Sequence, residues 1–194
     1  MSTEDASYTH RLVTLSSGRL RKLLNVQAPY GWNIRRLVEG EVLEVGCGIG
    51  RNLIHLRGAG VGVDHNQSSI ELCRRRGLRA YFSDEFRESE DGKRTFDTLL
   101  LAHVLEHMPV PEAEQLVATY ISYLKPGGRV VMVCPQERGF ESDSTHQYFF
   151  GHSDLSDLAR RLGLIHLREG SFPLPRWFGK VFTHNETFVI AMKP

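Results

Sequence analysis

The residues best suited to chemistry begin with an acid, Glu44, followed by three alternating glycines, Gly46, Gly48 and Gly50. Glycines at this spacing let the backbone turn tightly and let a ligand approach where a Cβ would clash. Backbone N–H groups at the start of the following helix favour an anionic or polar ligand group. Because a Gly-x-Gly pattern is weak evidence alone, the prediction of a nucleotide-type pocket depends on residues elsewhere in the chain.

Acids and histidines follow the later apolar runs and supply such residues. Asp64 lies 18 residues beyond Gly46, a separation at which a carboxylate can accept hydrogen bonds from both hydroxyls of a ribose. A role as a helix-capping acid is the alternative for Asp64. The other polar residues at the ends of predicted strands are His65, Ser83, Asp84, His103, Glu106 and His107.

Three of the nine histidines are candidates for proton transfer, since the unperturbed pKa of histidine lies near neutral pH. His146 follows the predicted strand 129–134. His107 would lie one turn after His103 if that segment is helical, and a helix-capping or loop-shaping role is its alternative. His146 and His152 are six residues apart without a supporting pattern of acids, so no metal site is predicted.

Strands and helices alternate along the chain and would position these side chains. The predicted strands are 42–45, 60–64, 79–82, 98–102, 129–134, 164–168 and 187–192, and the predicted helices are 11–38 with an interruption at 30–33, 51–57, 67–76, 111–124 and 153–162. The charged run 87–94 is expected to be a solvated loop or short helix, and 125–128 a turn. This alternation indicates a mainly parallel sheet covered on both faces, with a ligand at the carboxyl ends of its strands.

The composition predicts one domain over residues 1–194, in which the helical segment 1–38 contributes to the pocket. The 194 residues are 41% hydrophobic and 24% charged, with a net charge of +1, so nucleic-acid binding is not expected. No apolar run reaches the roughly 18 residues that cross a bilayer. Three cysteines without metal-like spacing indicate reduced thiols in a cytoplasmic protein. The oligomeric state, monomer or homodimer, is left open.

Four motifs in order along residues 40–170 resemble those of class I S-adenosylmethionine-dependent methyltransferases, in particular their small stand-alone members. The motifs are Glu44 to Gly50, Asp64, the segment from Phe96-Asp97 to His103-Val104-Leu105-Glu106-His107, and Leu124-Lys125-Pro126-Gly127-Gly128. The resemblance implies an α/β, Rossmann-like, doubly wound mixed sheet of seven strands in the order 3-2-1-4-5-7-6, with the last strand antiparallel. It also implies S-adenosylmethionine as cofactor.

The resemblance further implies the roles of individual residues. At the amino-acid end of the cofactor, the implied residues are Glu44, Gly46, Cys47, Gly48 and Gly50. Asp64 would bind its ribose, and His65, Ser83 and Asp84 would contact its adenine. Ala102 and His103 would lie beside its methionine part. Ser83 is an alternative to Asp84, because the sequence there departs from the commoner Gly-Asp. His146 and His107 are the candidate catalytic residues, needed as a base only for a hydroxyl or protonated-amine acceptor.

The predicted function is methyl transfer to O, N or C of a small-molecule acceptor, including lipid-like or sugar-linked molecules. Residues 30–33, 140–151 and 171–178 could wall an apolar acceptor groove, and the alternative is that Trp177 and Phe178 pack a hairpin against the sheet. Two other functions are considered. One is a non-catalytic S-adenosylmethionine-binding regulatory module. The other is a nicotinamide oxidoreductase, which the strict alternation of the glycines disfavours.

Overall fold

The computed structural model describes residues 28–194, which contain seven strands in one mixed sheet. The strands are β1 (Val42–Val45), β2 (Gly60–Asp64), β3 (Ala80–Phe82), β4 (Phe96–Ala102), β5 (Leu124–Pro135), β6 (Ile165–Phe172) and β7 (Glu186–Met192). Their order is β3-β2-β1-β4-β5-β7-β6, and β7 runs antiparallel to both of its neighbours. The predicted fold class and strand order are therefore confirmed.

Helices connect the strands and cover the sheet. They are α1 (Ala28–Leu37), α2 (Arg51–His55), α3 (Gln67–Arg75), α4 (Ser83–Glu88), α5 (Val110–Ile121), α6 (Glu137–Glu141) and α7 (His152–Arg161), with 3₁₀ turns at Asp91–Lys93, Leu105–His107 and Arg176–Lys180. Among residues 28–194, no helix is long and apolar enough to cross a membrane.

Two apolar clusters lie on opposite faces of the sheet. Leu99 and Leu101 belong to one cluster, whereas Leu100 and Ala102 belong to the other. Because successive side chains of a strand point to opposite faces, this division shows that β4 is buried on both sides. The strand is uniformly apolar at these positions for that reason.

The predicted break in the first helix is wrong, because α1 continues through residues 30–33. A Cβ on Gly31 would lie only 2.5 Å from Nδ1 of His55 in α2. Gly31 therefore allows two helices to pack closely rather than ending one of them. The remainder of the predicted helix, residues 11–27, lies outside the described residues.

The structure also differs from the predicted elements at the third and fifth strands. Ser83 opens α4 instead of extending a strand end, and Phe86, the only apolar side chain of that helix, anchors it in the core. Residues 125–128 form a bulge within β5, since Phe96 pairs with Leu124 and Thr98 pairs with Arg129. One residue on β4 thus faces four on β5, which accommodates the predicted turn inside the strand.

The strand register brings the polar strand ends to one edge of the sheet. Val45 pairs with Val63 on one side and with Leu101 on the other. The residues that follow β1 and those at the ends of β2 and β4 therefore lie side by side. Since the chain passes to opposite sides of β1 to form β2 and β4, this edge is a topological switch point, where ligands bind in open α/β sheets.

Candidate functional site

The glycine loop after β1 has the backbone conformation that its sequence predicts. Gly46, Gly48 and Gly50 have φ angles of +75°, +50° and +76°, in the left-handed region that favours glycine. A Cβ on Gly46 would lie 2.6 Å from Cγ2 of Val104, and one on Gly50 would lie 2.5 Å from Cδ1 of Leu78. Both positions thus combine a left-handed backbone with close packing.

Asp64 fixes this loop from the end of β2. Its Oδ2 accepts a hydrogen bond from Gly48 N at 2.7 Å, and its Oδ1 accepts one from Asn66 N at 2.8 Å. The helix-capping alternative is wrong, because Asn66 caps α3 by accepting a hydrogen bond from Ser69 N. Since each carboxylate oxygen has two lone pairs, Asp64 can still accept hydrogen bonds from a ligand.

A cavity of about 350 Å³ opens beside the loop. Of the predicted site residues, it is lined by Glu44, Gly46, Cys47, Gly48, Ala102, His103, His107 and His146. Gly50, Asp64, His65, Ser83 and Asp84 do not line it. The last two follow Phe82, which pairs with Asp64, so they lie along the same edge of the sheet but outside the cavity.

Glu44 contributes a buried carboxyl group with one unsatisfied oxygen. Its Oε1 accepts a hydrogen bond from Asn52 Nδ2 at 2.7 Å, whereas Oε2 has no hydrogen-bond partner. Burial is the main cause that raises the pKa of Glu44, to about 8. A cationic ligand group beside Oε2 would both satisfy this atom and favour the ionised carboxylate.

His103 links two carboxylates at the far side of the loop. Its Nε2 lies 2.8 Å from Glu186 Oε1, and its Nδ1 lies 3.3 Å from Glu106 Oε1. Burial alone would lower the pKa of His103, but the two carboxylates raise it to about 10. The imidazole is therefore protonated at neutral pH, and it holds a φ of +59°, which is uncommon for a residue other than glycine.

The two candidate catalytic histidines are adjacent. The ring centroids of His107 and His146 lie 4.9 Å apart. His107 Nδ1 lies 3.3 Å from Thr145 O, and His146 Nδ1 lies 2.7 Å from Phe140 O. The segment from His103 to His107 is not one helical turn, since the 3₁₀ turn Leu105–His107 begins after His103, so the condition for placing His107 one turn after His103 is not met.

Backbone hydrogen bonds anchor the segment that carries His146. Gln147 N and Tyr148 N donate to Glu106 O at 2.7 and 3.3 Å, and Gln147 Nε2 donates to His107 O at 2.7 Å. These bonds bring together residues that are about 40 positions apart in the chain. The local sequence around His146 does not reveal this pairing.

The walls of the cavity differ in part from the predicted acceptor groove. Tyr30 lines it and donates a hydrogen bond from its hydroxyl to His184 O at 2.9 Å. Trp177 and Phe178 stack on each other with ring centroids 3.6 Å apart, in a 3₁₀ turn that does not line the cavity. The predicted groove therefore does not include these two rings, which lie in the connection between the antiparallel neighbours β6 and β7.

Glu186 is a cavity residue that sequence reasoning missed. It opens β7 next to the end of β5, where Pro135 pairs with it. A polar residue at the start of an antiparallel last strand is the signal that could have identified it, because that start lies at the same edge as the parallel strands' ends.

A family model described as a methyltransferase domain matches residues 16–169. This chain belongs to the methyltransferase family. The match confirms the resemblance to class I S-adenosylmethionine-dependent methyltransferases and identifies the protein as an enzyme, so the nicotinamide oxidoreductase alternative is rejected. No curated protein sequence matches this methyltransferase significantly.

Solved structures of methyltransferases share the fold. A SAM-dependent methyltransferase from Archaeoglobus fulgidus is 19% identical, with a TM-score of 0.68 and coverage of 89% of this chain and 94% of the other. Magnesium protoporphyrin IX methyltransferase from Synechocystis, with bound SAH, is 15% identical, with a TM-score of 0.68 and coverage of 99% and 96%. A glycopeptide N-methyltransferase complexed with sinefungin is 14% identical, with a TM-score of 0.64 and coverage of 86% and 93%.

Proposed function

We propose that this methyltransferase takes its methyl group from S-adenosylmethionine and transfers it to an O, N or C atom of a small-molecule acceptor. The observation that carries the proposal is that one cavity joins the glycine loop and Glu44 to His107 and His146. When bound, the cofactor supplies an activated methyl group on a sulfonium, so the residues of the chain have mainly to bind and orient the reactants. The SAH and sinefungin bound to the related structures support this donor.

Glu44 and the glycine loop would hold the amino-acid end of the cofactor. The unsatisfied, buried Oε2 of Glu44 fits the ammonium group there, since an ionised acceptor forms a strong hydrogen bond with such a donor. Gly46, Cys47, Gly48 and Gly50 would let the ligand approach the backbone. The left-handed glycines of this loop support that role.

The nucleoside part would lie along the edge formed by β1, β2 and β3. Asp64 would accept hydrogen bonds from the ribose hydroxyls with its remaining lone pairs, and it would hold the glycine loop at the same time. The proposed partners of the adenine are His65, which is exposed and could stack on it, and either Ser83 or Asp84. The proposed partners of the methionine part are Ala102 and His103.

His146 and His107 would face the acceptor. If His146 Nδ1 donates its proton to Phe140 O, Nε2 keeps a lone pair that can accept a proton from an acceptor hydroxyl or ammonium group. Burial lowers the pKa of His107, against an opposing effect of Glu106, and this favours the neutral form of its ring. The cavity volume of about 350 Å³ suits a compact acceptor, including lipid-like or sugar-linked molecules.

A reducing, cytoplasmic location fits the cysteines. Cys47, Cys73 and Cys134 are free and buried, and Cys73 Sγ donates a hydrogen bond to Gly48 O of the glycine loop at 3.3 Å. The net charge of +1 favours a small-molecule acceptor over nucleic acid.

Calorimetric titration with SAH tests the methyl donor. We expect Asp64→Ala to weaken SAH binding at least about tenfold, because it removes the ribose acceptor and releases the glycine loop. Asp157→Ala, an exposed acid on α7, is the matched control and should bind SAH as the wild type does. Absence of SAH and S-adenosylmethionine binding, or unchanged binding by Asp64→Ala, would contradict the proposal.

An acceptor panel that detects SAH release tests the acceptor class. We expect turnover of small hydroxyl or amine compounds, and a decrease in kcat of about 100-fold for His146→Ala where the acceptor must lose a proton. Turnover confined to protein or nucleic-acid acceptors would exclude the proposed small-molecule class. A His146→Ala enzyme with unchanged kcat would remove His146 from catalysis.

A further inference from the structure

We propose that Glu106, His107 and His146 form a binding site for one divalent transition-metal ion beside the methyl-transfer cavity. One carboxylate oxygen and one ring nitrogen from each histidine lie within 4.8 Å of one another. Two imidazoles and a carboxylate are a donor set that zinc and other first-row metals use in proteins. All three residues line the cavity, so an ion here would be open to it.

Glu106 supplies independent evidence that a ligand belongs at this position. The residue is fully buried, its Oε1 makes an ion-pair contact with His103 Nδ1 at 3.3 Å, and its Oε2 has no hydrogen-bond partner in the described part of the chain. A buried carboxylate oxygen without a partner is unfavourable. Coordination to an ion would satisfy at least one of its oxygens.

The acidic side chains around His103 also favour a cation. Its Nδ1 lies 3.3 Å from Glu106 Oε1, and its Nε2 lies 2.8 Å from Glu186 Oε1. Two carboxylates therefore share one imidazole ring. A cation bound to Glu106 would leave the contact between His103 and Glu186 in place.

The two histidines have the outer contacts that metal ligands usually have. Nδ1 of His146 lies 2.7 Å from Phe140 O, and Nδ1 of His107 lies 3.3 Å from Thr145 O. Donation of the Nδ1 proton to a backbone carbonyl leaves Nε2 as the nitrogen with a free lone pair and fixes the orientation of the ring. The hydrogen bond from Gln147 N to Glu106 O holds the two segments in register.

Only a modest closure is needed to bind an ion. Ligand atoms about 2.1 Å from a tetrahedral ion are about 3.4 Å apart, so the 4.8 Å limit of the present arrangement must shrink by up to about 1.4 Å. His146 is partly exposed, so its ring can rotate to close this distance. Three protein ligands leave a coordination position open to the cavity.

The open position defines a role that rests on the proposed function. An oxygen of the acceptor could bind there, and the charge of the ion would lower the pKa of an acceptor hydroxyl. The hydroxyl proton would pass to water in the open cavity, so His107 and His146 would act as ligands rather than as proton acceptors. The acceptors expected are those that present a hydroxyl, alone or with a neighbouring oxygen, to the ion.

Titration of chelator-treated protein with Zn²⁺ alone, followed by calorimetry, tests the site without any acceptor. We expect one Zn²⁺ per chain, and binding weakened at least about tenfold in Glu106→Gln and in His146→Ala. His166→Ala is the matched control, because His166 lies 3.5 Å from Glu169 on the surface and should not contribute. Visible absorption of the Co²⁺-loaded protein, altered by the same two variants, provides a second readout.

The same samples are titrated with SAH, which separates this proposal from the proposed function. Absence of stoichiometric Zn²⁺ binding, or equal binding by the wild type and His146→Ala, would overturn the metal site, and retained SAH binding would leave the methyl donor in place. Loss of SAH binding in the wild type with intact Zn²⁺ binding would contradict the methyl donor alone. If Glu106→Gln fails to fold, His146→Ala decides, because its side chain is only partly buried.

Discussion

The raised pKa of Glu44 makes a quantitative prediction about ligand binding. In the free protein, burial raises this pKa to about 8. An ammonium group beside Oε2 binds to the ionised carboxylate, so binding should release a proton. With a pKa of about 8, the ionised fraction is about 0.3% at pH 5.5 and about 24% at pH 7.5.

The affinity for SAH should therefore increase with pH over this interval. If only the ionised form binds, the apparent Kd decreases by up to about 80-fold between pH 5.5 and pH 7.5, because the apparent affinity scales with the competent fraction. The expected proton release at pH 7 is about 0.9 per SAH bound, measured by calorimetry in two buffers of different ionisation enthalpy.

Two variants control this measurement. Glu44→Gln cannot ionise and should bind SAH more weakly, with an affinity that changes little over the same pH range. Glu39→Gln alters an exposed acid that precedes β1, does not line the cavity and pairs with Arg129, and this variant should keep the wild-type pH dependence. A wild-type affinity that is constant from pH 5.5 to 7.5, or a Glu44→Gln variant with the wild-type slope, would refute the reasoning.

Two further predictions concern stability, measured by urea denaturation. Gly46→Ala should destabilise the fold by about 2–4 kcal/mol, because the strain of a left-handed backbone adds to a close contact with Val104. Gly77 has a φ of +75° but nothing within 4 Å of an added Cβ, so Gly77→Ala should lower the free energy of unfolding by only about 1 kcal/mol. Equal losses in the two variants would contradict this reasoning. Lys125 lowers the pKa of Asp97, so this carboxylate stabilises the fold above pH 3.8 and the effect disappears as the pH falls through its lowered pKa. Asp97→Asn should therefore lower the free energy of unfolding by no more than about 1 kcal/mol at pH 7, since the pair is partly exposed, and by less as the pH falls below 3.8. A loss that does not decrease at low pH would not come from the ion pair.

The strand order was predictable because apolar runs and glycine turns carry it in the local sequence. Val42–Val45 and the glycines after it needed no long-range information, since burial on both faces and left-handed φ angles restrict the residue types. The continuity of α1 through Gly31 was not predictable in this way. The close approach of His55 that explains this glycine comes from another helix.

The site was predictable only to the extent that strand ends define it. The positions of Glu44 and His103 in the cavity follow from the parallel register. The proximity of His107 and His146, by contrast, depends on backbone hydrogen bonds from Gln147 to Glu106 across about 40 residues. Such pairings have no local sequence signature, so no pattern in the sequence indicates that these residues combine into a metal site.

Most of the buried side-chain atoms without a hydrogen-bond partner lie at the same cavity, and their position has a consequence for stability. Among residues 28–194, four buried side-chain atoms have no hydrogen-bond partner, and three of them belong to Glu44 and Glu106, which both line the cavity. Each such group reduces the stability of the free protein by about 1–3 kcal/mol, or more if it is charged. Ligands that satisfy them should therefore stabilise the fold.

Because Glu44 and Glu106 each have unsatisfied atoms, we expect variants of these two residues to differ in how SAH and Zn²⁺ stabilise them. SAH should raise the Tm of the wild type more than that of Glu44→Gln, whereas Zn²⁺ should raise the Tm of both proteins by similar amounts, because its ligands do not include Glu44. Glu106→Gln should show the opposite pattern, with a normal response to SAH and a reduced response to Zn²⁺. Equal responses of both variants to both ligands would mean that the two carboxylates serve one shared site rather than two adjacent ones.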